Sequence, residues 1–529
     1  MRTHEGGLSE NGEARLRRPD RVRVSRKTLR LDSGPLSRDQ VVAVARDAVP
    51  VELTEAVVKN LAATRQHIEA LAEATRPTYG VSTGFGALAI RHIPHHRRGA
   101  LQRSLIRSHA AGAGPVVEPE VVRALMLLRL RTLTSGHTGI RPGTVQALAK
   151  VLNAGIVPVV HEYGSLGCSG DLAPLAAVAL ALTGEGEVLD AGGQRKPAAA
   201  ALAEAGIEPI VLAEKEGLSL TNGTDGMLGM LVLALADLNR LLDTADLTAA
   251  MSVEALLGTD RAFSAELQAL RPHPGQAVSA RRMFAALQDS EIVASHRGPE
   301  DIRVQDAYSL RCAPQVHGAA RDTVSHAELV ADRELASAID NPVVLPDGRV
   351  ESNGNFHGAP IAYVLDFLAI PVADVASIAE RRTDRMLDVA RSHGLPPFLA
   401  DDPGVDSGHM IAQYTQAAIV ADLKRLAAPA SVDSIPSSAM QEDHVSMGWS
   451  SARKLRRAVD GLTTVLAIEL LTAARALDFR APLRPGPVTA AIRDLVRTRV
   501  PGPGPDRHLA PEIAAVEDLV RSGEILEDT

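Results

Sequence analysis

Gly164-Ser165-Leu166-Gly167-Cys168-Ser169-Gly170-Asp171 is too polar and Gly-rich to lie in a core, yet apolar sequence flanks it on both sides. Asp171-Leu172-Ala173-Pro174 then opens an Ala/Leu run to Leu182. Asp at a helix entrance and Pro in the first turn are start signals, because the first N–H groups of a helix have no partner within it. The pattern therefore predicts a helix after Asp171, with Ser169 and Gly170 at its positive end. An isolated Ser-Gly-Asp is usually a capping loop. A second reading uses all three residues Cys168-Ser169-Gly170. Gly170 lacks a Cβ, so its backbone nitrogen can reach the Cys168 carbonyl carbon at little steric cost. Ring closure with loss of two waters would turn Ser169 into a methylidene-imidazolone, an electrophile made from the chain itself.

The composition limits what surrounds this loop. Hydrophobic residues make up 45% of 529 residues but aromatics only 2%, so the core must be built from Ala, Leu, Val and Ile, which suits closely packed helices. A net charge of −8 argues against nucleic acid as the main partner. Apolar runs such as Met227–Ala236 are too short to span a bilayer, so no membrane partner is expected. Two cysteines, Cys168 and Cys312, provide no disulfide framework and suit a reducing cytoplasm. His92, His95 and His96 lie among arginines with no acidic or Cys neighbour, which reads as a basic surface turn and not a metal site.

Other polar breaks recur along the chain. Ser37-Arg38-Asp39-Gln40 is a capping-box pattern ahead of a helical stretch. Pro77-Thr78-Tyr79-Gly80-Val81-Ser82-Thr83-Gly84-Phe85-Gly86 carries three glycines and one of five tyrosines, as in a loop that could bring a phenol over a site as a base. Leu218–Asp225 precedes the apolar Met227–Leu242 helix, Asn353–Gly358 precedes Ala359–Ile370, and Ser437–Met447 precedes Ala452–Leu477. Ser438 with Gln441 matches a capping box and would put Glu442 in a first helical turn, where the dipole favours the carboxylate. At helical spacing Tyr308, Arg311 and Gln315 share a face, with Gln305 one turn earlier. Arg311, among apolar residues, needs a carboxylate partner from either the protein or a substrate. Residues 276–298 read as a charged surface connection, and Pro482–Pro505 as a break before a last short helix.

Taken together these motifs resemble the aromatic amino-acid ammonia-lyases, over about Val51 to Arg480 and in the family's order. Cys168-Ser169-Gly170 stands where Ala-Ser-Gly is common, and Ser82 replaces the usual Asn of the tyrosine loop. Tyr308-Ser309-Leu310-Arg311-Cys312-Ala313-Pro314-Gln315 is similar to a third family motif, and Gln441-Glu442-Asp443-His444 and Asn355-Phe356-His357 favour the histidine branch. The resemblance implies elimination of ammonia from L-histidine to give urocanate. It implies a 4-methylidene-imidazol-5-one formed autocatalytically from Cys168-Ser169-Gly170, with no external cofactor and no metal. In this assignment Tyr79 takes the β-proton and Arg311 holds the substrate carboxylate. Asn222, Gln305 and Tyr308 orient the amine and the ring, Phe356 lies against the site, and Glu442 with His109 hydrogen-bonds the imidazole. The resemblance also implies a homotetramer with active sites shared between subunits.

The expected fold is mainly α: a disordered tail over 1–35, a smaller mixed N-terminal part bearing the prosthetic group over 36–225, and a long helical bundle with a C-terminal cap over 226–529. Several polar breaks before long helices suggest helix N-termini converging on one site, whose positive ends would lower the Tyr79 pKa. Ala177 and Met440 depart from the common His and Asn of the histidine branch. They leave open an ammonia-lyase or 2,3-aminomutase acting on tyrosine or phenylalanine. A thiol hydrolase using Cys168 or Cys312, and an inactive helical scaffold, are the readings from other classes.

Overall fold

The computed structural model describes residues 28–74, 78–84, 86–298, 301 and 304–527. Five helices organise it: α1 (Leu172–Leu182), α2 (Asp225–Ala255), α3 (Ala313–Leu335), α4 (Ala359–Leu387) and α5 (Gly448–Asp478). α2 is buried almost all round, with Asp237, Asp246 and Glu254 buried among its apolar residues, as the innermost helix of the bundle. α4 and α5 pack on it along their lengths, and α3 packs against both α2 and α4. Near their C-terminal ends, α2, α4 and α5 are tied by a buried cluster in which Glu469 Oε1 accepts from Ser252 Oγ at 2.7 Å and Arg382 Nε at 2.5 Å. Their N-terminal ends meet around Met227, so the three longest helices run parallel with aligned dipoles. The core is continuous from Leu29 to Ile525 and crosses residue 225 without a break.

The strands are short. A three-stranded antiparallel sheet joins Val157–Pro158, Glu187–Leu189 and Arg195–Pro197, and Ala113–Val116 pairs with His161–Tyr163. The mainly helical class with a mixed N-terminal part is what the composition predicts. The Ser37 capping box is present in full, with the Gln40 N–H donating to Ser37 Oγ and the Ser37 N–H to Gln40 Oε1.

Three readings need correction. The expected tail to residue 35 is too long: Leu29–Leu31 is a strand paired in parallel with Val51–Leu53, and Leu31 is buried; positions 1–27 lie outside the described residues. The segment 276–298 is not a surface connection. It holds the Pro274–Ala286 helix, whose Gly275 lies against Gly318 of α3 so closely that a Cβ there would sit 2.3 Å from the Gly318 carbonyl oxygen. Its charged residues hid that packing: Arg281 is exposed, but Arg282 turns inward to pair with Asp243 of α2. Likewise Pro487 within the Pro/Gly-rich stretch starts a helix, Pro487–Arg497, because Pro at the first helical position gives up no needed donor.

α4 also departs from expectation, since a window within it reaches a mean hydropathy of 1.8 and is long and apolar enough to cross a bilayer. In the fold 61% of that window is buried inside the protein.

One buried histidine links the fold to pH. His409 precedes the Met410–Leu426 helix and its Nδ1 lies 3.1 Å from Thr472 Oγ1. Burial, reinforced by Arg475, Arg497 and Arg507, pushes its pKa down to about 3. A depressed folded value means stability is fully present above the unfolded pKa of 6.5 and is lost as pH falls from there toward 3. Thermal unfolding midpoints should drop across that window, by an amount equivalent to a few kcal/mol, about 1.4 kcal/mol per pH unit. His409→Gln should flatten the dependence, and an equally steep curve in the variant would exclude His409 as its source.

Candidate active site

The loop 164–171 lies where the helix N-termini meet. A Cβ on Gly167 would fall 2.1 Å from Ser446 Oγ, 3.2 Å from the Gly448 nitrogen at the start of α5 and 3.3 Å from Met227 Cε in the first turn of α2. One on Gly358, just before α4, would lie 2.6 Å from Met227 Sδ. α1 begins directly after the loop. Four helix N-termini thus point toward the loop, each carrying roughly half a positive charge. The Met447 N–H donates to the Leu166 carbonyl at 2.9 Å and Ser446 Oγ to the Gly167 carbonyl at 3.0 Å. Trp449, the only tryptophan, is buried in the first turn of α5 and donates Nε1–H to the Glu162 carbonyl at 2.7 Å.

Asp171 is the loop's anchor, though not as a cap for its own helix. Its Oδ2 accepts the Gly226 and Met227 N–H groups of α2, each at 2.9 Å, and its Oδ1 accepts from Ser165 Oγ at 2.9 Å. Complete burial pushes its pKa up to about 7 even though the Met227 N–H and the Ser165 hydroxyl favour the carboxylate. Gly170 has φ +78° and runs beside Gly223, with the Asp171 N–H donating to the Gly223 carbonyl at 2.7 Å. A Cβ on Gly170 would sit 2.0 Å from that oxygen. Gly170→Ala should therefore lower stability by about 2–4 kcal/mol through strain and overpacking, read from denaturant unfolding. Wild-type stability would mean that the loop can move away from Gly223.

Several expected site residues gather here. Cys168 is buried and Ser169 half-buried. Burial, together with the hydrogen bond from its thiol to Glu442, pushes Cys168 up to about 12. That is the reverse of what a thiol nucleophile needs, so the geometry argues against the thiol-hydrolase reading for Cys168. His109 ends the Arg98–His109 helix half-buried, where burial lowers its pKa against the opposing pull of Glu442. Tyr79 Oη accepts the Gly86 N–H at 3.3 Å. Its pKa is raised by burial and by the nearby Glu442 charge, opposing the Gly86 N–H. The expected lowering by helix ends is therefore not seen within one chain, because burial outweighs them.

Glu442 is half-buried, but it is not in a helical turn. Ser438, Ala439 and Met440 all have positive φ (52°, 52° and 69°), and Ser437 and Glu442 close a tight backbone bridge, with α5 starting only at Gly448. Glu442 therefore projects from a strained turn and owes nothing to a dipole of its own helix. Met440 is exposed. Ala177 lines a cavity of about 190 Å³ with Ala110, Gly112 and His161, directly beyond His109.

Asn222 and Phe356 also lie on this side. Asn222 Nδ2 donates to the Asn341 carbonyl at 2.9 Å, while its buried Oδ1 has no partner among the described residues. Phe356 is half-buried in the turn before α4, next to His357, whose ring stacks on His444 with centroids 5.4 Å apart.

Gln305, Tyr308 and Arg311 lie elsewhere. The Thr259 N–H, just past the end of α2, donates to Asp306 Oδ2 at 2.7 Å, and Arg311 Nε donates to the Asp306 carbonyl at 2.9 Å. They occupy the C-terminal end of α2, whose 31 residues span about 45 Å. The expected single helical face is also interrupted. The Tyr308–Arg311 turn breaks at Cys312 before α3 begins, and Gln305 precedes any helix. Among the described residues Arg311 has no carboxylate partner, and it stacks over the exposed Tyr308 ring at 4.6 Å. The expected site residues therefore fall into two groups, one at each end of α2.

The loop fits an imidazolone formed from its own residues. The cradle around Gly170 admits no side chain, the loop stands at converging positive helix ends, and a buried acceptor, Asn222 Oδ1, stands unpaired beside it. Sequence reading missed Asp171's reach to α2, Ser446, and the buried Lys215, Arg129 and Asp340 behind Asn222.

Residues 36–498 match the model of the aromatic amino acid lyase family. The histidine ammonia-lyase of Streptomyces coelicolor is 64% identical over 500 residues, covering 94% of this chain and 98% of that protein. The histidine ammonia-lyase of Gloeobacter violaceus is 49% identical, covering 94% and 96%. Among solved structures, tyrosine aminomutase from Streptomyces globisporus superposes with a TM-score of 0.90 at 38% identity, covering 94% of this chain and 98% of that one. Histidine ammonia-lyase from Trypanosoma cruzi gives 0.87 at 39%, covering 95% and 94%. The chain belongs to the aromatic amino acid lyase family.

Proposed function

We propose that this chain eliminates ammonia from L-histidine to give urocanate, in a homotetramer whose active sites combine half-sites from different subunits. The observation that carries the reading is Glu442, held by Ser437 Oγ at 3.2 Å near the loop, where its charge acts on the Cys168 thiol, on Tyr79 and on His109. The 64% identity to histidine ammonia-lyases against 38% to a tyrosine aminomutase supports the lyase and the substrate. Ring closure of Cys168-Ser169-Gly170 with loss of two waters supplies an electrophile that activates the substrate amine as a leaving group.

The chain's own residues do the rest. Glu442 and His109 hydrogen-bond the imidazole N–H and N; a half-buried carboxylate facing a phenyl ring would lose a donor, so phenylalanine is rejected. Arg311 from a neighbouring chain, with no carboxylate partner among the described residues of its own chain, clamps the substrate carboxylate. Gln305 and Tyr308 come with it. Tyr79 removes the β-proton, and because its phenol is raised, kcat/KM climbs toward alkaline pH as it ionises. The unbridged cysteines suit a reducing cytoplasm. Ultraviolet detection of urocanate from histidine tests the reading; product from tyrosine or phenylalanine alone would overturn it in favour of a lyase or aminomutase for those substrates.

A further inference from the structure

Behind Asn222 lies a buried ion pair that no substrate can touch. Lys215 Nζ donates to Asp340 Oδ2 at 2.5 Å and to Ser219 Oγ at 3.0 Å, and both charged side chains are 1% exposed. Asp340 Oδ1 accepts the Asn341 N–H at 2.8 Å. The segment so held touches three parts of the site. The Asn341 carbonyl accepts from Asn222 Nδ2. Asn341 Oδ1 and the Asp340 carbonyl accept the Asn353 N–H and Nδ2, both at 3.0 Å, at the base of the Phe356 turn. Pro342 abuts Gly80, where a Cβ would lie 3.4 Å from its Cδ. Arg129, fully buried, braces the segment by donating to the Asn222 carbonyl at 2.7 Å and the Ile339 carbonyl at 2.9 Å.

A carbonyl can only accept, so Asn341 forces the Asn222 amide nitrogen toward itself and turns Oδ1 toward the site. We propose that the Lys215–Asp340 pair is a positioning element that clamps Ile339–Asn341 so that Asn222 presents an acceptor oxygen to an amine N–H of the substrate. This rests on the assignment of Asn222 to the site made above. Stability alone gives no reason for the pair, because replacing both members of a buried ion pair with neutral groups is often neutral or stabilising.

The test is Lys215→Met/Asp340→Asn in the full-length chain. The expected result is an unchanged unfolding midpoint and an unchanged two-water mass loss, with kcat down at least about 30-fold and KM within about threefold. The same two substitutions should cause no further fall when made in Asn222→Ala, since the pair acts through that amide. Wild-type kcat in the double variant, or an equal fall in both backgrounds, would overturn the proposal. If the double variant does not fold, Ser219→Ala keeps both charges and loosens Lys215; kcat should fall about 3- to 10-fold at constant midpoint, and an unchanged kcat would count against the clamp. A wild-type chain lacking both ammonia release and the two-water loss would instead refute the lyase reading.

Discussion

Tyr79→Phe chains co-expressed with Arg311→Ala chains should regain activity that neither variant has alone. Tyr79 lies with the loop at the N-terminal end of α2, and Arg311 lies near its C-terminal end, about 45 Å away along 31 helical residues. No side-chain motion closes that gap, so the proposed assignment of both residues to one site requires a second chain. Each variant alone should lose about 10³-fold in kcat/KM, the scale of a missing general base or charge clamp. In mixed tetramers with random assortment, about a quarter of the sites draw both halves from unmodified positions, and activity should return toward that fraction. A mixture no more active than its parents would show that the two half-sites do not meet.

The second large effect is expected at Ser169. Ser169→Ala removes the hydroxyl whose loss creates the methylidene carbon, so the two-water mass deficit should shrink to at most one water and kcat should fall by at least about 10³-fold. The fold should persist, because Ser169 is half-buried and Ala keeps the backbone of the bend. Cys168→Ala makes the useful contrast. It removes only a thiol that donates to Glu442, and it should retain both the mass deficit and most of the activity. Loss of activity in Cys168→Ala with the deficit intact would reinstate the cysteine as a participant.

Local signals were legible and long-range ones were not. The breaks at 164–171 and 353–358 each precede a helix, starting at Leu172 and Ala359, and the break read over 218–225 narrows to 222–224 before Asp225, because Glu216–Thr221 is itself helical. Gly, Asn and Asp before an apolar run mark an N-terminus wherever it ends up in the fold. Glu442 lies beside the loop, but its setting was misread. Three consecutive left-handed residues overrode the Ser438–Gln441 capping pattern, and nothing in Ser-Ala-Met announces positive φ. Tyr308 and Arg311 do lie together, though not with Gln305 on one helical face, and spacing along a chain carries no information about distance from a loop far earlier in the sequence. Lys215 stayed hidden because its partner, Asp340, is 125 residues away, and a single Lys in a polar stretch looks like surface.

The placement of Trp449 equips the protein with a built-in optical reporter. All indole emission must come from one ring wedged among the N-termini of α2 and α5, where a Cβ on Gly226 would come within 2.4 Å of it. Its brightness and wavelength therefore follow the junction beneath Ser169 with no background from other tryptophans. Stopped-flow fluorescence on the unlabelled chain can time the setting of that junction separately from the closing of the rest of the bundle.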